Sequence, residues 1–422
     1  MITWANLRAS AAPWLVLPVL VYAGLYVNDA THTAPSKYGV QSGELAAYAL
    51  AVIAPAVAGA AAWEAGRHRL LGALTTTSRR RALRRLVQAA SPVLILQAVL
   101  ALGALVMAYQ AVGVLPGGAG WLGVAHLIVL PLGWLVIGWC LGSVMPRSIA
   151  APIAGIACWA WLSMPHAMPT NSWLRHLGGF IDGLSSVTDV RTPAVYLVPW
   201  GVVTGLALAF WILARMRRRA WAVVLAFAVA AATFATGRTL VADWGFPHPT
   251  EVRDVALTCT GQEPTVCVPP EYEPYAEQLW RDALAPVKRL KAAGIAAPDE
   301  LRITSAKVPL KPGTWPLHWS LPPLRSGQDP AQHAADFAAD LAESAVTGTA
   351  ALTGVDDCRQ PGSPPAAWAA LVAGVDEQAV RAGMPDTEWA ALQKIRGLPA
   401  GEQADWFTKA AVSQERCNKA VS

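Results

Sequence analysis

Hydrophobic residues are concentrated in the first 237 positions of the chain, where they form blocks separated by short polar segments. A helix that crosses a bilayer needs ~20 predominantly apolar residues, and the blocks predict seven spans. The spans cover Ala11–Tyr26, Leu45–Ala62, Pro92–Val112, Trp121–Val144, Ile149–Met164, Val195–Leu213 and Ala220–Gly237. The fifth is short and contains Pro152, which a membrane helix tolerates when its neighbours satisfy the freed backbone group.

The first apolar block has a second interpretation. Arg8 precedes an apolar run of 16 residues, and a stretch of small and polar residues from Asp29 to Ala34 follows it. This order also fits a secretory signal peptide, whose apolar region is roughly 7–15 residues long. Because the run is longer than that, we expect a retained span.

The pattern after residue 237 is typical of a mainly helical domain with a little β-structure. Apolar residues recur at helical spacing in the segments Pro270–Ala293, Pro330–Val346, Ala366–Val375, Thr387–Arg396 and Gly401–Cys417. Glu300–Val308 alternates as a strand does, and the Pro- and Gly-rich stretches Pro309–Pro323 and Gln360–Pro365 separate elements. The predicted fold is therefore an all-α polytopic membrane bundle, residues 1–237, followed by this second domain, residues 238–422.

One polar segment between spans also has helical periodicity. The apolar residues of segment 172–188 are Trp173, Leu174, Leu177, Phe180, Ile181, Leu184 and Val187. The segment is too short and polar to span a bilayer, so the pattern predicts an amphipathic helix at the outer membrane interface. A surface helix packed on the second domain fits the pattern equally well.

Composition supports the membrane assignment. Apolar residues make up 54% of the chain and charged residues only 14%, with a mean hydropathy of +0.36. A soluble domain carries about 25% charged residues. The chain is also long enough for two domains.

Arginine and lysine predict the orientation, because these residues remain on the cytoplasmic side of membrane proteins. With the N-terminus inside, the cytoplasmic segments hold thirteen arginines. The outer segments before residue 237 hold only Lys37, Arg175 and Arg191. Seven spans then place the second domain outside the cell membrane.

The difference in charge between the two halves of the chain agrees with this orientation. Residues 1–237 contain sixteen basic and five acidic residues, whereas residues 238–422 contain seventeen and twenty-three. The arginines of the first half lie at span ends, where they can also meet anionic lipid headgroups. The basic half is therefore a signal of membrane topology, and we expect no nucleic-acid partner.

The cysteines agree with this placement. Cys140 and Cys158 lie inside predicted spans and are expected to be buried and free. The other four, Cys259, Cys267, Cys358 and Cys417, lie in the second domain, where an exterior location favours two disulfides. Three pairings are possible; we favour Cys259–Cys267 and Cys358–Cys417. A metal site is the competing interpretation, but no two of these cysteines have the spacing usual in zinc sites.

Enzyme motifs are absent from the sequence. None of the eight lysines follows a glycine, so the chain has no Walker A loop to hold ATP phosphates. It also lacks a His-Glu-x-x-His zinc motif and a Gly-x-Ser-x-Gly nucleophile elbow. We expect no catalytic residue, no metal and no cofactor in this chain.

Few polar residues lie within the predicted spans. Gln97, Gln110 and His126 are the candidates to face the interior of the bundle and line a transport path. A single histidine can equally well be hydrogen-bonded to a carbonyl of a neighbouring helix. The scarcity of charge argues against a proton-driven pump, and suits a transporter of apolar or amphipathic cargo that is powered from outside the membrane.

The segment between the second and third spans, Trp63–Arg81, is basic and partly apolar. It begins with Glu64, contains Leu70-Leu71 and Thr75-Thr76, and ends in the run Arg79-Arg80-Arg81. Such a segment can lie at the membrane interface and present a docking surface to a cytoplasmic partner. The alternative is a loop whose charge only sets the topology.

The order of these elements resembles the permease subunits of ABC-2 class ABC exporters. Trp63–Arg81 is similar to the E-x-G-R-x-R…L-L-x-T-T…R loop of permeases from high-GC Gram-positive bacteria. The resemblance extends to Cys259 and to Cys267-Val268-Pro269-Pro270-Glu271-Tyr272, a segment similar to one that follows the last span in some of these permeases. The chain departs from the family in its short N-terminal segment, in Arg69 where an acidic residue is common, and in its added seventh span and exterior domain.

The resemblance implies partners. A separate ATP-binding subunit, which carries the ATP and Mg, would dock on the loop 63–90, and two permease chains, identical or related, would enclose the substrate path. The docking residues would be Glu64, Arg67, Arg69, Arg79, Arg80, Arg81, Arg84 and Arg85. The alternative function is a membrane anchor that displays an exterior interaction domain and transports nothing.

Overall fold

The computed structural model describes residue 8 and residues 10–30, 37–70, 79–168, 172–216, 219–317, 329–349 and 363–414. It has two compact units. The membrane unit comprises residues 1–185 and 190–251, and the C-terminal unit comprises residues 186–189 and 252–422. The chain passes from one unit to the other within two short paired strands, β1 (Asp189–Arg191) and β2 (Thr250–Val252).

The membrane unit is a bundle of nine described helices. They are α1 (Ala12–Ala30), α2 (Gly39–Tyr48), α3 (Leu50–Leu70), α4 (Arg79–Val112), α5 (Gly120–Val144), α6 (Arg147–Ser163), α7 (Ser172–Gly178), α8 (Ala194–Met216) and α9 (Ala220–Leu240). A short 3-10 helix, Met164–Ala167, follows α6. The predicted membrane bundle is confirmed.

Five helices, α4, α5, α6, α8 and α9, are long and apolar enough to cross a membrane. The pair α2–α3 adds a sixth span if it is counted as one helix bent by 44°. α1 is the predicted first span, and its apolar part, Ala12–Asn28, is shorter than the other candidates. The chain is thus a multi-pass membrane protein with five described helices that can span a membrane, or six with the bent pair, and the predicted span at α1 stays a prediction.

Three predicted boundaries are wrong. The second span begins at Gly39 and is interrupted at Ala49, and the third span begins at Val87 instead of Pro92, within a helix that starts at Arg79. The predicted amphipathic helix 172–188 ends at Gly178, because Gly179 adopts a φ of +82° that terminates it. Residues 179–185 are non-helical, and Phe180 and Ile181 are buried.

Small residues bring α3 and α5 into close contact. A Cβ at Gly138 would collide with the carbonyl oxygen of Ala58, and one at Gly142 with that of Ala62. Glycines four residues apart share one face of a helix and allow two membrane helices to approach closely. The backbone of α5 therefore packs directly on α3, which lies at the centre of the buried apolar core.

The C-terminal unit contains a four-stranded sheet and a group of helices. The strands are β3 (Thr258–Thr260), β4 (Thr265–Val268), β5 (Glu300–Ile303) and β6 (Thr314–Leu317), in that order across the sheet. β3 and β4 are antiparallel, whereas β4, β5 and β6 are parallel. The helices are α10 (Ala276–Ala292), α11 (Pro330–Thr349), α12 (Pro364–Ala373), α13 (Glu377–Ala382), α14 (Asp386–Arg396) and α15 (Ala400–Gln414).

The predicted helices of this unit are confirmed, and the predicted strand is shorter than expected. β5 ends at Ile303, not Val308, and β6 lies in the stretch Pro309–Pro323 that was expected to separate elements. The disulfide Cys259–Cys267 is present and joins residues that face each other in β3 and β4. Cys358 and Cys417 lie outside the described residues.

Candidate functional site

The last turns of α3 lie at one end of the membrane unit, together with the start of α4 and the turn between α5 and α6. We call this region the basic end, because Arg67, Arg69 and Arg147 belong to it and the arginine run from Arg79 follows. It contains the segment that the sequence identifies as a docking loop. Residues 71–78 of that segment lie outside the described residues.

Each residue of the Glu64-x-Gly66-Arg67 pattern has a structural role. Glu64 is fully buried, and its Oε1 accepts a hydrogen bond from the backbone N–H of Ala11, 3.2 Å away, just before α1. Arg67 Nε donates to Glu64 Oε2 at 2.8 Å, and the two side chains form an ion pair. The pattern therefore joins the end of α3 to the start of α1.

Gly66 joins the end of α3 to the turn before α6. A Cβ at Gly66 would lie 2.6 Å from the Cβ of Arg147, so only glycine permits this approach. The Arg147 guanidinium lies 4.7 Å from the centre of the Trp63 ring, a cation–π contact. His68 also stacks against Trp139 of α5, with ring centres 6.3 Å apart.

The remaining predicted docking residues fall into two groups. Arg69 is exposed at the end of α3. The arginines of the run are in the first turns of α4, and their side chains lie outside the described set; they are Arg79, Arg80, Arg81, Arg84 and Arg85. The structure thus brings Glu64 and Arg67 together, exposes Arg69, and continues the basic run directly into a membrane helix.

The three candidates for a transport path differ in their environments. Gln97 is buried and donates a hydrogen bond to the carbonyl of Ile128, 2.7 Å away. Gln110 is exposed near the end of α4, so the expectation that it faces the interior of this bundle is wrong. His126 is fully buried, and both of its ring nitrogens have partners.

The partners of His126 fix its tautomer. Nε2 lies 2.6 Å from the carbonyl oxygen of Gly179, so it carries the proton and donates it. Nδ1 accepts a hydrogen bond from the indole N–H of Trp200 at 2.8 Å. His126 thereby holds α5, residue 179 and α8 together, which is the hydrogen-bonded alternative for a histidine inside a span. A role in a transport path stays a prediction.

The opposite end of the membrane unit, which we call the polar end, contains a buried ion pair that sequence reasoning missed. Glu44 of α2 is 1% exposed and lies 2.5 Å from Arg191. Its carboxylate also accepts hydrogen bonds from the backbone N–H and the hydroxyl of Ser185, at 2.7 and 2.6 Å. Gln41 donates to the Ser185 carbonyl at 2.8 Å.

Charge explains why this pair is stable inside the protein. Burial alone would lower the pKa of Arg191, but the carboxylate of Glu44 outweighs it and raises that pKa above its usual range. Arg191 also donates to the carbonyls of Asp182 and Gly183, both at 3.0 Å. A signal for this site existed in the sequence, since an ionisable residue within a membrane segment is rare, and Glu44 lies inside the helix pair α2–α3. Glu44 immediately precedes the predicted span at Leu45.

A second charged cluster lies at the polar end. Arg175 is buried and donates to the carboxylate of Asp182 at 2.5 Å, while its guanidinium lies 4.0 Å from the centre of the Phe246 ring. His166 and His248 approach the same carboxylate to 3.8 and 3.7 Å. Two of the arginines predicted for the outer segments, Arg175 and Arg191, are therefore buried in ion pairs.

Among the described residues, no group of three or more histidine, cysteine, aspartate or glutamate side chains is arranged to hold a metal ion. Cys140 and Cys158 are buried and free, as predicted for cysteines inside spans.

Comparisons with known proteins inform only the C-terminal unit. Residues 266–417 match a family model described as a domain of unknown function, DUF7224. The matched range begins inside β4 and leaves the whole membrane unit uncovered. Comparisons with curated proteins and with solved structures found no match. The chain is thus similar, over its C-terminal unit, to a family whose function is not described.

Proposed function

We propose that this chain is the permease subunit of an ATP-driven exporter of the ABC-2 class, which works with a separate ATP-binding subunit. The resemblance of Trp63–Arg81 to the docking loop of such permeases motivates the proposal. The observation that carries it is the set of contacts around this segment at the basic end. Three separate parts of the bundle meet there at Glu64 and Gly66.

These contacts suit a segment that transmits movement. A force on the end of α3 reaches α1 through the bond between Glu64 and the Ala11 N–H. It reaches α6 through Arg147, which contacts both Gly66 and Trp63. ATP binding closes the partner subunits, the docking segment moves with them, and the spans reorient around the cargo. A loop that only set the topology would not need a buried carboxylate or a glycine contact.

The proposal includes an orientation. Basic residues favour the cytoplasmic side, so the basic end and the N-terminus face the cytoplasm of a cell whose plasma membrane the chain spans. The disulfide Cys259–Cys267 supports an exterior C-terminal unit, because disulfides persist in oxidising compartments. In this arrangement the C-terminal unit acts on the exit side, and a second permease chain completes the path.

Co-purification in mild detergent tests docking. This chain is co-expressed with candidate ATP-binding subunits from the same genome, chosen by their Walker A and B motifs, and the wild type is compared with a variant in which five arginines become alanine. The five are Arg79, Arg80, Arg81, Arg84 and Arg85. We expect the wild type to retain the partner and the variant to bind it about tenfold more weakly, a loss of roughly 1.4 kcal/mol of binding free energy, because the proposed docking surface loses five positive charges.

A matched control separates docking from topology. Arg215, Arg217, Arg218 and Arg219 are changed to alanine in a second variant, which removes a similar charge from the link between α8 and α9. The sidedness of both variants is checked by labelling a cysteine placed in the C-terminal unit. If the control loses the partner equally, or if the wild type binds no ATP-binding protein, the exporter proposal is wrong and the membrane-anchor function is favoured.

A further inference from the structure

Residues 186–189 belong to the C-terminal unit, although the chain on both sides of them belongs to the membrane unit. We call these four residues, Ser186-Val187-Thr188-Asp189, the inserted segment. The chain leaves the membrane unit after Ser185 and returns to it at Val190. It therefore enters the C-terminal unit twice, first through this segment and finally through β2. The exporter proposal assigns no role to the inserted segment.

Arg253 holds the backbone of the inserted segment. Its N–H donates to the carbonyl of Thr188 at 2.8 Å, and its Nη1 donates to the carbonyl of Val187 at 3.0 Å. Its guanidinium is itself fixed by two hydrogen bonds to the carboxylate of Glu271, at 3.0 and 2.8 Å. Such a two-point pair is geometrically specific, so the arginine binds both carbonyls in a defined orientation.

Asp189 provides a second point of attachment. Its Oδ1 accepts a hydrogen bond from the hydroxyl of Ser305 at 2.8 Å, and its Oδ2 accepts one from the hydroxyl of Thr188 at 3.0 Å. Ser305 lies shortly after β5 and is 3% exposed, and Val187 is completely buried. The inserted segment is therefore an integral part of the folded C-terminal unit.

The residues that flank the inserted segment bind one carboxylate of the membrane unit. Ser185, directly before it, donates to Glu44 through its N–H and its hydroxyl. Arg191, two residues after it, forms the ion pair with Glu44. Because ordering a backbone costs conformational entropy, a segment that is already fixed between these two residues lowers the cost of placing both of them on Glu44.

We propose that the C-terminal unit positions Ser185 and Arg191 on Glu44 by holding the inserted segment between them. Arg253, Glu271 and Ser305 are then positioning residues for an ion pair that belongs to the other unit. Release of the inserted segment frees both ligands of Glu44, and a buried carboxylate that loses its partners destabilises its surroundings. α2, which carries Glu44, is loosened as a result.

α2 also connects this site to the basic end. α2 and α3 form one bent pair, and Glu64 of the docking segment lies in the last turns of α3. A partner that binds the C-terminal unit and shifts the inserted segment would thereby regulate docking through the bent pair. This extension rests on the proposed function, whereas the positioning of Ser185 and Arg191 does not.

Hydrogen exchange of the full chain in lipid nanodiscs tests the positioning. The double variant Arg253→Met/Ser305→Ala removes the side-chain bonds to Val187 and Asp189, and methionine retains an unbranched apolar stem. The reporters are the amides of Ser185 and of residues 44–47 in α2, which belong to the membrane unit. We expect them to exchange about tenfold faster than in the wild type, because bonds to charged groups are lost. Amides of residues 132–140 in α5 should not change.

Arg289→Met is the matched control. Arg289 also donates from Nη1 to a backbone carbonyl of the C-terminal unit, that of Ala373 in α12, at 2.7 Å. This carbonyl is not part of the inserted segment. Loss of the bond should leave the exchange of Ser185 and of α2 unchanged.

Ser305→Ala alone is a milder variant, in which the same amides should exchange about threefold faster. Amides of α10 report whether the C-terminal unit stays folded. Unchanged exchange of Ser185 and α2 in each variant that keeps α10 protected would overturn the proposal, as would an equal increase in Arg289→Met. Exchange is measured on this chain alone, so a failure of ATP-binding subunits to dock would remove only the extension to the docking segment.

Discussion

Individual charged residues of the membrane unit form ion pairs inside the protein. Charges that only set the membrane topology would instead be expected at the surface. Glu64 pairs with Arg67 at the basic end, and Glu44 pairs with Arg191 at the polar end. Both glutamates also accept backbone N–H bonds from other parts of the chain. Removing one partner of a buried pair leaves an uncompensated charge, which is far more costly than losing an exposed pair.

Glu44→Gln tests this at the polar end. We expect the variant to lose roughly 3–5 kcal/mol of stability, because Arg191 remains buried without its carboxylate. Thermal unfolding in detergent, followed by fluorescence-detected size-exclusion chromatography, measures the change. The double variant Glu44→Gln/Arg191→Gln should be destabilised by less than the sum of the two single changes.

Glu377→Gln is the matched control for that experiment. Glu377 pairs with Arg396 at 3.0 Å on the surface of the C-terminal unit, where the Glu377 side chain is 54% exposed and that of Arg396 34%. Water and salt screen such a pair, so its loss should leave the melting temperature unchanged. An unchanged melting temperature for Glu44→Gln would show that the buried pair does not stabilise the bundle.

Sequence patterns predicted some residues of these sites and missed others for a physical reason. Glu64 and Arg67 belong to a recognisable local pattern, so they were identified. Glu44 and Arg191 are far apart in the chain and meet only because the bundle folds, which no local pattern records. Gln110 was assigned to the interior from its polarity alone, whereas its position on the helix determines that it is exposed.

At the scale of whole elements, the close contact of α3 and α5 depends on glycine. Gly142 faces the Ala62 carbonyl with no room for a Cβ, and Gly138 faces Ala58 in the same way one turn earlier. At these four residues the two helix backbones are in contact, because the glycines have no side chain that would hold the helix axes further apart.

Gly142→Ala should therefore separate the two helices. We expect a loss of about 1–3 kcal/mol, the usual cost of overpacking a well-packed core, measured as a lower melting temperature in the same detergent assay. Gly201→Ala is the control, because nothing lies within 4 Å of a Cβ at that position of α8. Equal stability of the two variants would contradict the close contact.

Elements with a long periodic pattern were predicted well, and elements defined by tertiary contacts were not. Five of the predicted spans, a sixth in the form of the bent pair α2–α3, and the helices of the C-terminal unit have clear patterns, and the structure confirms them. The apolar residues of 172–188 also have helical spacing, yet Gly179 and the contacts of Asp182 and Ser185 impose a non-helical path. β6 was missed because Pro316 breaks the strand pattern, although β5 pairs with it in parallel.

At the scale of the whole molecule, the chain combines an apolar, basic membrane unit with a C-terminal unit that contains a disulfide. The first unit carries a large excess of basic residues, and its arginine-rich segments adjoin the ends of apolar helices. The second contains a disulfide and matches a family model of unknown function. We propose that the first unit couples to ATP hydrolysis by a separate subunit.

The proposed permease function requires that an ATP-binding subunit contacts the basic end. Site-specific photocrosslinking tests this directly, with a photoreactive phenylalanine analogue placed either at Arg69, exposed at the end of α3, or at Trp121, exposed at the start of α5. With the candidate ATP-binding subunit co-expressed, we predict a crosslink to it from position 69 and none from position 121. Crosslinks from neither position, or equally from both, would contradict the account.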